Sequence, residues 1–147
     1  MATITRLSSN DKPDWLALWN GYLTFYETEL PGATTESTFR RLTTPGSGLY
    51  GALARDEDGR AIGLVHWLTH PATWSTTDYC YLEDLFVVPG ARSSGTGAAL
   101  IAAVRAWAAE NGSSKVYWLT AETNHTARRL YDRLATRTGF IHYEIPL

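Results

Sequence analysis

A glycine-containing turn is one feature of this sequence that could bind a ligand. The residues Arg92-Ser93-Ser94-Gly95-Thr96-Gly97 lie between a run typical of a strand and a run typical of a helix. The N–H groups in the first turn of a helix have no partner within that helix, and glycines let an anion approach the main chain closely. The turn therefore indicates either an anion-binding site or a plain structural joint. It matches neither a P-loop nor a dinucleotide-binding fingerprint.

Two adjacent carboxylates, Glu83 and Asp84, lie inside an aromatic and apolar run over residues 79–88. Two neighbouring charges are costly in such surroundings, which favours a function for them. A carboxylate that is partly buried in a strand has a raised pKa and can accept protons near neutral pH. Glu83 is therefore a candidate proton acceptor. The alternative is that Glu83 lies on the exposed face of an edge strand.

Aromatic and acidic side chains cluster near the end of the first predicted helix, before Pro31-Gly32. Aromatic faces and carboxylates together attract ammonium groups, so this segment suits a loop over a binding cleft for an amine. Tyr81 alternates with Glu83 and shares its side of the strand if no bulge intervenes. Two of the aromatic residues, Trp19 and Tyr22, fit the protein core equally well. The predicted substrate-binding residues are Trp19, Tyr22, Tyr26, Glu27, Tyr81 and Asp84.

Strands and helices must bring these residues together. Alternating side chains and turn residues predict strands over residues 3–7, 49–55, 60–68, 79–88, 115–120 and 141–145. Apolar residues at helical spacing predict helices that end near residues 27, 42, 110 and 134. The resulting order, β-α-α-β-β-β-α-β-α-β, predicts an α/β protein with a mixed sheet and helices on its faces.

Length and composition exclude several classes of protein. The 147 residues, 44% of them hydrophobic and 19% charged, fit a single globular domain over residues 1–147. A net charge of −2 disfavours a nucleic-acid binder, and the sequence has no run apolar enough to predict a membrane span. The single cysteine, Cys80, excludes an intrachain disulfide and fits a reducing cytoplasm. The four histidines lack the spacing of a metal site, so no metal is expected.

The turn and the order of elements resemble the GNAT superfamily of acetyl-CoA-dependent N-acetyltransferases. The family's pyrophosphate loop, Arg/Gln-x-x-Gly-x-Gly/Ala after the fourth strand, matches residues 92–97. The run Leu82-Glu83-Asp84-Leu85-Phe86-Val87 looks like the fourth strand of diamine and polyamine acetyltransferases. A resemblance to a subgroup of histone/polyamine and D-amino-acid N-acetyltransferases extends over residues 117–124, Leu130-Tyr131 and Gly139-Phe140. The resemblance implies a GNAT-like fold, mostly antiparallel in its N-terminal half, with splayed central strands.

The resemblance also implies a reaction, the direct transfer of an acetyl group from acetyl-CoA to a primary amine. A lysine-like amine of pKa about 10.4 is almost fully protonated at neutral pH and must lose a proton before it attacks the thioester. Glu83 would take that proton directly or through a water, or Asp84 or a water chain would do so in its place. Tyr131 matches the family's general acid, which would protonate the leaving thiolate. The alternative for Tyr131 is a core tyrosine whose hydroxyl is simply hydrogen-bonded.

The residues implied to hold CoA lie on the fourth strand, the loop and the last helix. The main chain of the strand would bind the acetyl carbonyl and the pantetheine arm, and its dipoles would stabilise the developing oxyanion. Asn124 would contact the pantetheine arm and also cap its helix. The predicted cofactor-binding residues are Leu85, Phe86, Val87, Val88, Arg92, Ser93, Ser94, Gly95, Thr96, Gly97, Asn124 and Tyr131.

The expected partners are a small-molecule amine or a lysine-like side chain, and a second copy of the chain in a homodimer. The acidic and aromatic residues favour polyamines and lysine-like amines, whereas the subgroup resemblance favours amino acids. The alternative to an enzyme is a CoA-binding regulatory module without catalysis. The presence of both Glu83 and Tyr131 argues against that alternative.

Overall fold

The structure of the chain is a computed structural model, which describes residues 1–92 and 94–147. The chain divides into two compact units, residues 1–117 and residues 118–147. The strands described, all in the first unit, are β1 (Thr3–Arg6), β2 (Tyr50–Arg55), β3 (Ala61–His70), β4 (Tyr79–Val87) and β5 (Val116–Tyr117). The helices are α1 (Lys12–Phe25), α2 (Gly32–Leu42) and α3 (Thr96–Glu110) in the first unit and α4 (His125–Leu134) in the second.

The five strands form one sheet in the spatial order β1-β2-β3-β4-β5. The pairs β1–β2, β2–β3 and β3–β4 are antiparallel, and β4–β5 is parallel. The β2–β3 hairpin turns at Asp56, whose carboxylate accepts the N–H groups of Asp58 and Arg60, and at Gly59, whose φ of 82° needs a glycine. The predicted α/β class with a mixed sheet is confirmed.

Helices cover both faces of the sheet, and neighbouring residues of β3 show which helix covers which face. His66 contacts Trp15 of α1, whereas Trp67 contacts Trp107 of α3. Since successive residues of a strand point to opposite faces, α1 and α3 lie on opposite sides of the sheet. Helix α2 packs against α1 through the ring of Phe39, whose centroid lies 5.1 Å from that of the Trp15 ring. The α1 side forms a core cluster of Trp15, Leu18, Trp19, Phe39, Leu42, Leu53, Leu64 and Phe86.

Helix α1 begins and ends where its sequence allows. Pro13 lies in its first turn, where the missing N–H costs no hydrogen bond. The helix ends in a left-handed residue, Glu27, with a φ of 52°, and the N–H of Thr28 donates to the carbonyl oxygen of Leu23. This arrangement is a Schellman motif, in which the left-handed position is usually glycine. Helix α1 therefore stops at Phe25, two residues before the predicted end, and holds Glu27 in a strained conformation.

The parallel pairing of β4 with β5 is short. It joins Cys80 to Val116 and Tyr81 to Tyr117, although β4 itself continues to Val87. The predicted strand over residues 115–120 is thus formed only at residues 116–117. Within the described residues, β4 has no strand partner beyond Tyr81 on this side, which agrees with the predicted splaying of the central strands.

The predicted last strand, over residues 141–145, is wrong for the single chain. Among the described residues, 136–147 belong to no helix or strand. A strand needs a neighbour for its N–H and C=O groups, and alternation of apolar residues does not supply one. Several large apolar side chains in this segment are more than 70% exposed, namely Phe140, Ile141, Tyr143, Ile145 and Leu147.

The helices within the described ranges, residues 1–92 and 94–147, do not have the length and apolar character needed to cross a lipid bilayer.

Candidate active site

A β-bulge in β4 sets the positions of the two adjacent carboxylates. Asp84 pairs with His66 and Leu82 pairs with Trp67, so Glu83 is an extra residue without a partner on β3. The bulge turns Asp84 to the α1 face, where His66 lies, instead of the face that strict alternation after Leu82 would give it. Glu83 is exposed, whereas the Asp84 side chain is only 15% exposed.

The Asp84 carboxylate is held by two side chains. Its Oδ1 accepts a hydrogen bond of 2.7 Å from the hydroxyl of Tyr22, and its Oδ2 lies 2.9 Å from Nδ1 of His66. The indole Nε1 of Trp15 donates to Nε2 of His66 over 3.0 Å. Burial, followed by the Asp84 charge, raises the pKa of Tyr22, so this hydroxyl stays protonated and remains a donor.

Glu83 has different surroundings from its neighbour. Partial desolvation, followed by the nearby charge of Asp84, raises the pKa of the Glu83 carboxyl, while the proximity of Tyr81 and His66 opposes this shift. The pKa of Tyr81 is in turn raised by burial and by Glu83. A carboxyl group whose pKa is raised toward neutrality is suited to receive a proton.

An aromatic wall borders the carboxylates on the side of α1. The ring of Tyr22 lies 5.5 Å from Trp19, 5.1 Å from Tyr26 and 6.2 Å from Phe86. Trp19 is buried and donates its indole N–H to Thr35, so it packs behind Tyr22. Tyr26 is 42% exposed and Glu27 is also exposed, which leaves both free to meet a molecule from solvent.

The open edge of β4 offers main-chain donors next to the carboxylates. Alternate residues of an antiparallel strand direct their N–H groups to opposite sides. The N–H of Val88 donates to the carbonyl of Ile62, which continues the β3 pairing. The N–H groups of Leu85 and Val87 therefore point away from β3, toward the side where β5 has ended. Of the predicted main-chain donors in this strand, Leu85 and Val87 direct their N–H groups away from β3, whereas the N–H groups of Phe86 and Val88 point toward β3.

The predicted anion-binding loop follows β4 and leads into α3. Gly95, with a φ of 83°, precedes Thr96, the first residue of α3, and the N–H of Ala99 donates to the carbonyl of Gly95. The N–H groups of the first turn before Ala99 are those that a helix cannot satisfy internally, so the loop fits a phosphate group. Ser94 bonds to the Ala91 carbonyl and to the Thr96 hydroxyl. Ser93 lies outside the described residues.

Arg92 turns toward the sheet. Its Nε donates to the carbonyl of Val87 over 3.1 Å, and its guanidinium lies 5.2 Å from the ring of Phe25 and 6.0 Å from that of Phe86. The side chain therefore joins the end of β4 to the end of α1. This contact is one that sequence reasoning did not anticipate.

A surface depression of about 690 Å³ lies beside the loop. It is lined by Ser94 and Thr96 and by the acidic β2–β3 turn, and its lining residues do not include Tyr22, Glu83 or Asp84. The depression is therefore distinct from the carboxylate pair.

The second unit holds the remaining predicted residues. The side-chain oxygen of Asn124 accepts the N–H of Ala127 over 3.4 Å and caps α4. The ring of Tyr131 packs at 5.4 Å against Trp118 in an edge-on arrangement. Asn124 thus immediately precedes α4 and Tyr131 lies on α4, both within this unit.

Sequence reasoning missed Trp15 and His66. Both are buried, and each is unremarkable in the sequence, where His66 lies between apolar residues of a strand. Their role depends on the register between β3 and β4 and on the bulge at Glu83, which the sequence does not reveal.

The fold and the site have the form of an acetyltransferase, and comparison with known proteins shows the family. The model of the acetyltransferase (GNAT) family matches residues 13–135, so the chain belongs to this family. Its relatives include D-amino-acid N-acetyltransferase HPA3 of Saccharomyces cerevisiae, 37% identical over 142 residues, or 96% of this chain and 88% of that protein. The N-acetyltransferase YhfO of Bacillus subtilis is 32% identical over 145 residues, 95% of this chain and 94% of that protein. The chain is therefore a GNAT N-acetyltransferase.

Solved structures support the same fold. The aminoglycoside N-acetyltransferase AAC(6')-Iy in complex with a bisubstrate analogue superposes with a TM-score of 0.86 at 18% identity, over 100% of this chain and 99% of that one. An aminoglycoside acetyltransferase from an uncultured soil metagenomic sample superposes with a TM-score of 0.83 at 21% identity, over 99% of this chain and 96% of that one. The predicted GNAT-like fold is confirmed by this agreement.

Proposed function

We propose that residues 1–147 form one N-acetyltransferase domain that moves the acetyl group of acetyl-CoA directly to a primary amine of a small molecule or a lysine-like side chain. The observation that carries this proposal is the carboxylate pair in the β4 bulge. Its two members have different partners, and they are followed in β4 by Leu85 and Val87, whose main-chain N–H groups point away from β3. The pair supplies a proton acceptor, and the N–H groups supply donors for the carbonyl oxygen of a thioester.

In the proposed reaction, Glu83 accepts one proton from the ammonium group and leaves a neutral amine. The amine nitrogen then forms a bond to the acetyl carbon, while the N–H groups of Leu85 and Val87 stabilise the negative charge on its oxygen. As the tetrahedral adduct collapses, the carbon–sulfur bond breaks and the thiolate leaves with a proton from Tyr131, while the second proton of the nitrogen passes to solvent water, from which Tyr131 is reprotonated. The proton on Glu83 also passes to solvent, so the balance closes.

The binding of acetyl-CoA is assigned to three groups of residues. The loop residues would hold the pyrophosphate, because the first turn of α3 and the glycines offer main-chain donors. The β4 edge would receive the acetyl end, and Asn124 the pantetheine arm. A neighbouring structure of the same fold, AAC(6')-Iy, is described in complex with CoA.

The acceptor is proposed to be a cationic amine. The substrate side of the proposed site consists of Tyr22, Tyr26, Glu27, Tyr81 and Asp84. Trp19 packs behind Tyr22. Aromatic faces and carboxylates favour an amine with a net positive charge, such as a polyamine or a lysine-like side chain.

A free amino acid is the second candidate, and two observations favour it. A relative with 37% identity is named a D-amino-acid N-acetyltransferase. In addition, the guanidinium of Arg92 lies over Phe25 at the end of α1, where it offers a cation for a substrate carboxylate. A second arginine, Arg41 on α2, donates to the carbonyl of Ser37 and the hydroxyl of Thr38 within its own helix.

An amine panel tests the proposed function. Purified protein is incubated with acetyl-CoA and spermidine, a lysine peptide or a D-amino acid at matched concentration, and the released thiol is measured. We expect thiol release that depends on the amine and is lost in Glu83→Gln, with spermidine and the lysine peptide ahead of the amino acid. No release with any primary amine contradicts the proposed acetyl transfer, and turnover of the amino acid alone assigns the second candidate.

We also propose that the protein is a homodimer in a reducing, cytoplasmic compartment. The exposed apolar side chains of residues 140–147 are expected to be covered by a second copy of the chain. The single cysteine, Cys80, is buried and fits a compartment without disulfides. Light scattering after size exclusion measures the mass, and a monomer of 16.3 kDa contradicts the dimer.

A further inference from the structure

Adjacent carboxylates in an enzyme site often take different protonation states, because their surroundings differ. Here Glu83 and Asp84 differ in the side chains that surround their carboxylates. Both oxygens of the Asp84 carboxylate lie within hydrogen-bond distance of Tyr22 or His66, whereas the Glu83 carboxylate is exposed and lies near Tyr81. The contrast raises the question of which carboxylate accepts the proton of the amine.

The hydrogen bonds determine where the proton of His66 lies. The indole N–H of Trp15 can only donate, so Nε2 of His66 must be the acceptor of that 3.0 Å bond. A neutral imidazole that accepts at Nε2 carries its proton on Nδ1. That N–H therefore donates to Oδ2 of Asp84 over 2.9 Å.

Asp84 consequently receives two hydrogen bonds from groups that keep their protons. Tyr22 is a donor on one oxygen, and the Nδ1–H of His66 is a donor on the other. These two donors occupy both oxygens of the carboxylate. The side chains of His66 and Trp15 are buried, so this arrangement is held by the core and not by solvent.

Glu83 faces several titratable groups, and the balance among them favours protonation. Partial desolvation, followed by the charge of Asp84, raises the pKa of Glu83, while Tyr81 and His66 oppose this effect. The charge of Glu83 in turn acts on tyrosines from three elements. The groups that face Glu83 are Asp84 and Tyr81 on β4, His66 on β3, Tyr22 on α1 and Tyr117 on β5.

We propose that His66 and Tyr22 are positioning residues that hold the Asp84 carboxylate in place through both of its oxygens, so that its fixed charge lies beside Glu83 and Glu83 is the carboxylate that accepts the proton of the amine. This inference rests on the proposed acetyl transfer to an amine. It assigns Asp84 an electrostatic role and removes it as an alternative proton acceptor.

A first experiment measures the carboxylates without any substrate. In protein labelled with ¹³C at glutamate carboxyls, the Glu83 resonance is identified by its loss in Glu83→Gln and followed against pH. We expect Asp84→Asn to move the Glu83 titration to lower pH by about half a unit or more, because a neighbouring negative charge is removed. The matched control is Asp78→Asn, which removes an exposed aspartate just before β4 and leaves the Glu83 titration in place.

A second measurement tests the proton on His66 in the unchanged protein. Two-bond ¹H–¹⁵N spectra distinguish the two neutral forms of histidine. We expect His66 to carry its proton on Nδ1 at neutral pH. A proton on Nε2 overturns the proposal, because the Asp84 carboxylate then lacks its donor.

A third experiment separates the two hydrogen bonds of His66 by kinetics. His66→Asn keeps an N–H near the Nδ1 position, next to Asp84, whereas His66→Gln reaches the Nε2 position and keeps only an acceptor for Trp15. We expect His66→Asn to retain the acidic limb of the kcat/KM profile. We expect His66→Gln to displace that limb to lower pH and to lower kcat/KM at least about tenfold.

If His66→Gln retains the acidic limb of the kcat/KM profile and His66→Asn loses it, the hydrogen bond to Trp15 matters instead of the bond to Asp84. That result overturns the proposal. Thermal melting is recorded for both variants, and if neither folds, the carboxyl and imidazole spectra decide. An unchanged Glu83 titration in Asp84→Asn overturns the electrostatic role. If the titration moves as expected but no amine is acetylated, the arrangement of carboxylates stands and the proposed function fails.

Discussion

The raised pKa of Glu83 has a consequence for stability at the scale of a single residue. Burial and the charge of Asp84 disfavour the ionised form in the folded protein, so the folded state binds a proton at Glu83 more readily than the unfolded state. The contribution of this proton is fully present below the ordinary pKa of glutamate. It is lost as pH rises through the raised pKa of the folded state.

Glu83→Gln is therefore expected to change stability and activity in opposite directions. The uncharged amide should raise the melting temperature at pH 7, and this gain should vanish toward pH 4, where the native Glu83 is protonated. The same change should lower the rate near neutral pH by about 10²–10⁴-fold, with partial recovery as pH approaches the pKa of the amine. Thermal melting across pH checks the expected change in stability, and initial rates across pH check the expected change in activity. A pH–rate profile identical to that of the unchanged protein places the base elsewhere.

Tyr131→Phe separates a catalytic hydroxyl from a structural one. The phenylalanine ring keeps the edge-on contact with Trp118 and removes only the hydroxyl. If Tyr131 is the general acid, kcat should fall about 10²–10⁴-fold with little change in melting temperature. A structural hydroxyl would instead contribute about 1 kcal/mol to stability. Full activity with a lower melting temperature shows that the acid lies elsewhere.

At the scale of an element, the end of α1 carries a residue in an unfavourable conformation. Glu27 has a φ of 52°, in the left-handed region that glycine adopts without a steric penalty. Glu27→Gly should therefore raise the stability of the protein by up to about 1 kcal/mol, although it removes a carboxylate.

If Glu27 binds the amine, KM for spermidine should rise severalfold at nearly constant kcat. Denaturant unfolding and steady-state kinetics on Glu27→Gly and Glu27→Gln separate the backbone effect from the loss of charge. An unchanged KM in both variants removes Glu27 from the substrate site.

The loop before α3 predicts a second contrast at this scale. Gly97 lies in the first turn of the helix, and Gly97→Val fills the space beside its main chain. Arg92 already donates to the Val87 carbonyl within the same unit, so Arg92→Ala removes a side chain that the loop donors do not require. We expect Gly97→Val to weaken acetyl-CoA binding much more than Arg92→Ala in titration calorimetry. Unchanged affinity in Gly97→Val contradicts binding through the loop main chain.

At the scale of the whole molecule, the C-terminal segment predicts association. Phe140 and Tyr143 are 85% and 84% exposed, and large apolar side chains exposed in one segment indicate a contact surface. Phe140→Ser combined with Tyr143→Ser should shift the proposed dimer to monomer, whereas Thr138→Ser, a change in the same segment that removes no large apolar group, should not. Light scattering on each variant gives the mass. Equal masses for the two variants contradict a contact through these rings.

Much of the architecture could be predicted from the sequence, because it depends on local periodicity. The apolar spacing of α1, the Asp56–Gly59 turn of the β2–β3 hairpin and the glycines before α3 each act over a few residues. These features also carried the family resemblance, since the loop and β4 are contiguous segments. The candidate site residues on β4 and in the loop could be predicted from the sequence because each group lies in one contiguous segment.

The tertiary structure alone decided the features that depend on pairing between distant segments. The bulge at Glu83 depends on the register of β3 against β4, and it brings Asp84 to the face of His66 and Tyr22. Alternation within β4 predicts the opposite face for Asp84, because one extra residue reverses every side chain that follows it. The expected strand at residues 141–145 failed for a related reason, since its alternating pattern describes two faces but provides no hydrogen-bonding neighbour. Side-chain period is a local property of the chain, whereas strand register and pairing are set by contacts far apart in sequence.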